Sequence, residues 1–144
     1  MMNNKNKKLV LFLCTGNSCR SQMAEAIVNQ EMGDDWRAYS AGTKPAGYVH
    51  PRALKALAEI EILHDGYSKT VDEFVETHFD LVVTVCDSAA EECPVWLGVG
   101  RRVHKSYPDP AEATGTDEEI MQTFRLVRDD ILREIPELLR ECET

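Results

Sequence analysis

The sequence predicts a single α/β domain over residues 1–144, a four-stranded parallel sheet with helices on both faces. Three observations predict it. Short apolar runs alternate with helical stretches along the whole chain. The connections between those runs are long enough to hold the crossover helices of a parallel sheet, which tight hairpins are not. At 144 residues, 43% of them hydrophobic, the chain makes one ordinary domain whose core needs no staples.

Each element has its own signature. Lys8–Leu13 is a continuous apolar run after a charged head, as in a strand buried on both faces. Arg20–Glu31 has helical spacing, with Met23, Ala24, Ile27 and Val28 near one face, and Gly33 stops it. Trp36–Ala41 is a second short strand, ended by Gly42. Pro51–Glu61 is a helix with proline in its first turn and Leu54, Leu57 and Ala58 inward. Val71–Glu76 is a shorter helical piece. Asp80–Val85 is a third buried strand, and Arg102–Ser106 a weaker fourth. Asp117 to Arg140 is the final helix, with Ile120, Phe124, Val127, Ile131, Ile135 and Leu138 in one apolar stripe. Pro136 lies inside that pattern and should kink the helix or split off a terminal piece. Glu118, Glu119, Arg125, Arg128 and Asp129 read as a solvated face with local ion pairs. His50, His64, His78 and His104 fall near element ends and read as surface residues.

Charge narrows the function classes. Sixteen lysines and arginines against 25 aspartates and glutamates give a net charge of −9. An acidic body repels phosphate backbones and anionic lipid, so neither nucleic acid nor membrane is expected as a partner. An anionic ligand must then be captured by a local electropositive pocket. No apolar run approaches the ~18 residues of a membrane span. The run LVLFLC behind the basic N-terminus is too short for a signal-peptide core and ends in no small-residue cleavage site. A cytoplasmic protein is expected, and a monomer, since no apolar surface patch is evident.

The cysteines are Cys14, Cys19, Cys86, Cys93 and Cys142, an odd count that argues against a structural disulfide framework in a reducing compartment. Cys86 and Cys93 are seven apart with no histidine pair nearby, which is not zinc spacing. Redox or nucleophilic use remains, with no role for Cys142.

The stretch FLCTGNSCRSQMAEA (Phe12–Ala26) joins the first strand to the first helix. In open parallel sheets ligands sit off the carboxyl ends of the strands. This loop also leads into a helix N-terminus, where unpaired N–H groups and the macrodipole favour an anion. Gly16 and Asn17 tolerate the backbone angles that aim successive N–H groups inward. Thr15, Gly16, Asn17, Ser18, Cys19, Arg20 and Ser21 thus form a candidate oxyanion cradle, with Arg20 adding a planar fork for two oxygens. The same field stabilises a thiolate, which makes Cys14 the candidate nucleophile, and Ser18 and Ser21 can donate hydrogen bonds to its sulfur. Cys19 points into the start of the helix, where its main role is packing.

The loop CTGNSCRS resembles the anion loop of the low-molecular-weight tyrosine phosphatases and of the arsenate reductases that share their flavodoxin-like fold. The likeness covers nearly the whole chain, including SAG (Ser40–Gly42), DLVVTVC (Asp80–Cys86) and DPA (Asp109–Ala111). It implies that Asp109 is the general acid, placed after the fourth strand to protonate a leaving oxygen.

A phosphatase has no use for Cys86 and Cys93. The thioredoxin-coupled arsenate reductases resemble this sequence closely, including the seven-residue step between these cysteines. The resemblance implies a route in which Cys14 attacks arsenic and Asp109 assists loss of water. Cys86 then attacks the sulfur of Cys14 and expels arsenite, Cys93 takes over the disulfide, and thioredoxin reduces it. Arsenate is then the substrate, phosphate and sulfate are competing anions, and no cofactor is called for. Were residues 87–93 helical, the Cα atoms of Cys86 and Cys93 would lie about 10 Å apart. That exceeds the ~7 Å a disulfide tolerates, so the segment would unwind on oxidation.

The alternative is a phosphatase hydrolysing phosphate monoesters through a Cys14 phosphoenzyme, an activity that could also persist weakly in a reductase. The tyrosine phosphatases carry a tyrosine pair soon after Asp-Pro. Here the stretch is AEATGTDEE, which argues against a phosphotyrosine substrate. A third reading, an oxyanion-binding regulator, needs neither a thiolate nor Asp109. Some reductases of this family bind potassium near the anion loop through an asparagine, a glutamate, a serine and an aspartate. Asn17, Glu25 and Ser40 match the first three, but Thr70 stands at the fourth with Lys69 beside it. The expectation is no metal, or at most a weak potassium site at Asn17, Glu25 and Ser40.

Overall fold

The computed structural model describes residues 7–87, 96 and 98–143. Four strands, β1 (Lys8–Cys14), β2 (Trp36–Gly42), β3 (Leu81–Thr84) and β4 (Arg101–His104), form one sheet in the order β2-β1-β3-β4. Every neighbouring pair is parallel. The helices are α1 (Arg20–Glu31), α2 (Pro51–Glu59) and α3 (Asp117–Glu141), with short 310 helices at Val71–Phe74 and Pro110–Glu112.

β1 lies inside the sheet because both of its faces are apolar: Val10, Leu11, Phe12 and Leu13 are at most 1% exposed. Alternate residues feed two cores. Val10, Phe12 and Cys14 join Met23 and Ile27 of α1, Ala53 and Leu57 of α2, and Phe124 and Ile131 of α3. Leu11 and Leu13 join Ala41, Phe79, Val82 and Trp96, against which Val71 and Phe74 of the first 310 helix pack. Helical segments therefore cover both faces unequally. The α-helices share one core, and the other is closed by a 310 helix and edge-on aromatic contacts such as Phe79 on Trp96.

The element boundaries differ from the sequence reading in instructive ways. β1 runs on to Cys14, which pairs with Gly42 at the end of β2. α2 stops at Glu59, and Glu61 takes a left-handed backbone (φ 64°) that turns the chain away. Its inward face is Ala53, Ala56 and Leu57, because it packs against both α1 and α3 and the small alanines allow close approach; Ala58 is exposed. β3 is shortened to Leu81–Thr84, and the Asp80 carboxylate accepts from the Leu9 N–H at 2.8 Å, tying the strand start to β1. Pro136 does not split the last helix, which continues to Glu141 with Pro136 buried inside it.

The face read as solvated on α3 is partly a helix–helix seam. Arg128 is buried, and its guanidinium donates to the Ala56 carbonyl and to Glu59, each at 2.9 Å. Arg125 also grips Glu59, and the two arginines, Arg125 foremost, hold that carboxyl down at about 2. Glu119 belongs to a capping box with Thr116, which starts α3. His50 and His64 are half-buried with partners, whereas His78 and His104 are exposed.

All strands run the same way, so their carboxyl ends share one edge. From β1 the chain crosses to β2 on one side and later to β3 on the other, which opens a crevice at the β1/β3 ends.

Candidate active site

Cys14 closes β1 at that crevice, and Arg20 opens α1, so the intervening loop hangs over the strand ends. Of Gly16 and Asn17, only Asn17 takes a left-handed backbone, φ 47°. Gly16 has no left-handed backbone, and a Cβ there would meet only Ala46 at 4.0 Å, so neither backbone freedom nor space demands a glycine at this position. Gly42 is the glycine the loop depends on. An added Cβ there would run into the Thr15 carbonyl and lie 3.0 Å from Asn17 N and Cys14 O. Backbone N–H groups of Lys44, Ala46 and His50 then anchor the carbonyls of Thr15, Gly16 and Ser18 at 3.0, 2.9 and 3.0 Å.

The loop forms one wall of a cavity of about 180 Å³, lined by Cys14, Gly16, Ser18, Cys19, Arg20, Tyr48, His50 and Asp109 among others. Arg20 is 3% exposed. Its Nη1 donates to the Tyr107 carbonyl at 3.1 Å, and its Nη2 lies 3.7 Å from Asp109 Oδ2. The other oxygen of Asp109 accepts from the Ala111 N–H at 3.0 Å, capping the second 310 helix and fixing the carboxylate at the mouth. Thr15, Asn17 and Ser21, expected in the cradle, do not line the cavity, and Asn17 and Ser21 are fully buried.

The Cys14 sulfur lies 2.9 Å from Ser21 Oγ, and Asn17 Nδ2 donates to that same oxygen at 2.8 Å. With Asn17 as its donor, the Ser21 hydroxyl has its proton to give to sulfur. Ser18, also expected to serve the Cys14 sulfur, lines the cavity and bonds the Cys19 thiol. Cys19 is buried, and burial first, then the Asp109 and Cys14 charges, push its thiol up to about 12 against the pull of Arg20. Its thiol stays neutral and packs into the core, although it lines the cavity beside Cys14.

Cys86 follows β3 by two residues, is fully buried, and joins the same core as Cys14. The Val85 N–H donates to the Leu13 carbonyl at 2.8 Å, so β1 and β3 stay side by side up to these cysteines. Cys86 is disulfide-bonded, whereas Cys14, Cys19 and Cys142 are free thiols. Cys93 lies outside the described residues. Cys142 caps α3 and packs partly on the core.

The potassium ligand set does not fit that ion. Asn17 Oδ1 accepts from Gln22 Nε2 and from the Lys69 N–H, each at 2.9 Å. Ser40 donates to Glu25 Oε1 at 2.6 Å, and the Lys69 ammonium lies 3.7 Å from that oxygen. Thr70 caps the first 310 helix. The oxygens that would face an ion are already turned to protein donors. Among the described residues no cluster of three or more His, Cys, Asp or Glu side chains is placed to hold a metal, and no described helix is long and apolar enough to cross a membrane.

Over residues 9–144 the chain matches the family model described as low molecular weight phosphotyrosine protein phosphatase. The chain belongs to that family. Among curated relatives it is 50% identical over 131 residues to an arsenate reductase of Halalkalibacterium halodurans, covering 90% of this chain and 94% of that one. It is 46% identical over 125 residues to an arsenate reductase of Bacillus subtilis, covering 86% and 89%. Among solved structures, an arsenate reductase from Archaeoglobus fulgidus superposes with a TM-score of 0.76 at 33% identity, covering 90% of this chain and 97% of that one.

In this member of the phosphatase family, three site residues escape the sequence reading. Tyr48, 55% exposed, stands at the cavity mouth. His50 lines the cavity and caps α2, its Nδ1 accepting from the Arg52 N–H at 3.1 Å; burial, with Arg52, holds its imidazolium below the ordinary value. Proline at the first helical position marks His50 as the N-cap and so carries a signal. Gln22, fully buried, donates to Asn17 and to the Tyr67 carbonyl and meets His64, and nothing local in the sequence marks it.

Proposed function

We propose that this chain reduces arsenate to arsenite through a relay of three thiols, Cys14, Cys86 and Cys93, regenerated by thioredoxin. The observation that carries the reading is the pairing of a free cavity thiol, Cys14, with a disulfide-bonded Cys86 buried in the same core at the same sheet edge. The arsenate reductases among its relatives support the substrate.

Arsenate enters the cradle, its oxygens held by loop N–H groups and the Arg20 fork. The Cys14 thiolate bonds to arsenic, Asp109 gives its proton to the leaving oxygen, and water departs. The Cys86 thiolate attacks Cys14 sulfur. The sulfur–arsenic bond breaks with its electron pair going to arsenic, which leaves as arsenite, and a Cys14–Cys86 disulfide remains. The Cys93 thiolate then attacks Cys86, freeing Cys14 and leaving a Cys86–Cys93 disulfide for an external dithiol. Two thiols supply both electrons. In this reading the protein is a single-domain cytoplasmic monomer, with phosphate and sulfate as competing anions.

The test is arsenate-dependent NADPH oxidation coupled through thioredoxin and thioredoxin reductase. The relay predicts turnover abolished by Cys14→Ser, Cys86→Ser or Cys93→Ser. The phosphatase alternative, favoured by the family alone, predicts instead aryl phosphate hydrolysis that survives Cys93→Ser, with no arsenate-dependent oxidation.

A further inference from the structure

Lys69 is 6% exposed, and a buried ammonium is tolerated only when its charge and its protons find partners. Its Nζ donates to the Tyr67 carbonyl at 2.8 Å, lies 3.7 Å from Glu25 Oε1, and sits 4.5 Å from the centre of the Tyr67 ring. Glu25 is itself largely buried, so its carboxylate requires a nearby positive charge. Carboxylate and carbonyl oxygens are the donors that hard cations take. Here one protein ammonium occupies that place, with the same single charge as an alkali ion.

The same residue holds the anion loop. The Lys69 N–H donates to Asn17 Oδ1 at 2.9 Å, and its carbonyl accepts from the Gly42 N–H at 2.9 Å. Asn17, oriented by this bond and by Gln22, donates to Ser21, which meets the Cys14 sulfur. The ammonium also shares the Tyr67 carbonyl with Gln22. Its charge thus pins the 67–69 segment to α1, and that segment sets the Asn17 amide behind the nucleophile.

We propose that the Lys69 ammonium is the built-in monovalent cation of this site, a positioning residue that keeps Asn17, Ser21 and Cys14 in register and makes potassium unnecessary. The inference takes Cys14 as the reacting thiol but does not depend on arsenate as substrate.

The experiment follows iodoacetate alkylation of Cys14 at neutral pH, read by mass spectrometry of the Cys14 fragment, in potassium chloride and in choline chloride of equal ionic strength. The wild-type protein should react at the same rate in both salts. Lys69→Ala, which leaves a cation-sized space, should react slower in choline on the order of tenfold and recover in potassium. Lys69→Met, which fills the space without charge, should be slow in both. A wild-type rate that rises with potassium overturns the proposal. So does a Lys69→Met protein as reactive as wild type, or a slowed Lys69→Ala protein that potassium does not rescue. Should Lys69→Ala fail to fold, the wild-type and Lys69→Met arms still decide. Because no arsenate is used, failure here leaves the reductase reading standing, and failure of arsenate turnover leaves this one standing.

Discussion

Cys14 Sγ and Ser21 Oγ lie 2.9 Å apart behind the anion loop, and Asn17 supplies the hydroxyl oxygen with its other hydrogen bond. The arrangement directs one O–H donor at the sulfur that the proposed relay uses as its nucleophile. A hydrogen bond to a charged group is worth about 1.5 kcal/mol or more, roughly a tenfold rate effect. Ser21→Ala should therefore slow Cys14 alkylation and arsenate turnover by on the order of tenfold. It also orphans the buried Asn17 amide, so denaturant unfolding should show a loss of about 1–3 kcal/mol. A variant with wild-type alkylation kinetics would remove Ser21 from this role.

Asp109 is held at the cavity mouth by the Ala111 N–H, with its second oxygen toward Arg20. Asp109→Asn keeps an oxygen for Ala111 but cannot give up a proton. Its kcat for arsenate should fall by about 10²- to 10⁴-fold, with KM little changed because Arg20 and the loop remain. Steady-state kinetics would contradict the acid role if the loss were wholly in KM.

Gly42 has no room for a methyl group under the Thr15 carbonyl. Gly42→Ala must push the loop off β2. The expected outcome is a protein that folds less stably by about 1–3 kcal/mol and loses anion affinity, measured by phosphate protection of Cys14 from alkylation. Unchanged protection would mean that the loop does not need this contact.

His64 and His50 are both kept below the ordinary histidine value, chiefly by burial. For His64, Lys69 adds to the effect while Glu25 and Asp65 oppose it. The fold therefore prefers neutral rings, the unfolded chain binds more protons in this window, and stability rises with pH through it. Denaturation midpoints should fall as pH is lowered from about 7 toward 5. His64→Gln, which can still donate to Gln22, should flatten that slope. An equally steep slope in the variant would assign the effect elsewhere.

The parts of this molecule that are legible in the sequence are those encoded locally. β1 announces itself because burial on both faces demands an unbroken apolar run. The anion loop does so because a thiol, a helix start and an arginine must lie within a few residues to share one field. What is not legible comes from distant segments. Lys69 meets Asn17 across 52 positions, and Gln22 meets His64 across 42, with no pattern linking them. Arg128 has the spacing of a surface arginine, yet the carbonyl of Ala56 on another helix buries its guanidinium. Pro136 breaks a local rule that the packing of α3 overrides.

The most direct test of the relay is a single turnover without thioredoxin, starting from fully reduced protein and excess arsenate, with arsenite counted and disulfides mapped by mass spectrometry. Cys93→Ser should release about one arsenite per chain and stop with Cys14 linked to Cys86, and Cys86→Ser should release none. Arsenite from Cys86→Ser in wild-type amount, or a Cys93→Ser protein that forms no Cys14–Cys86 bond, would contradict it.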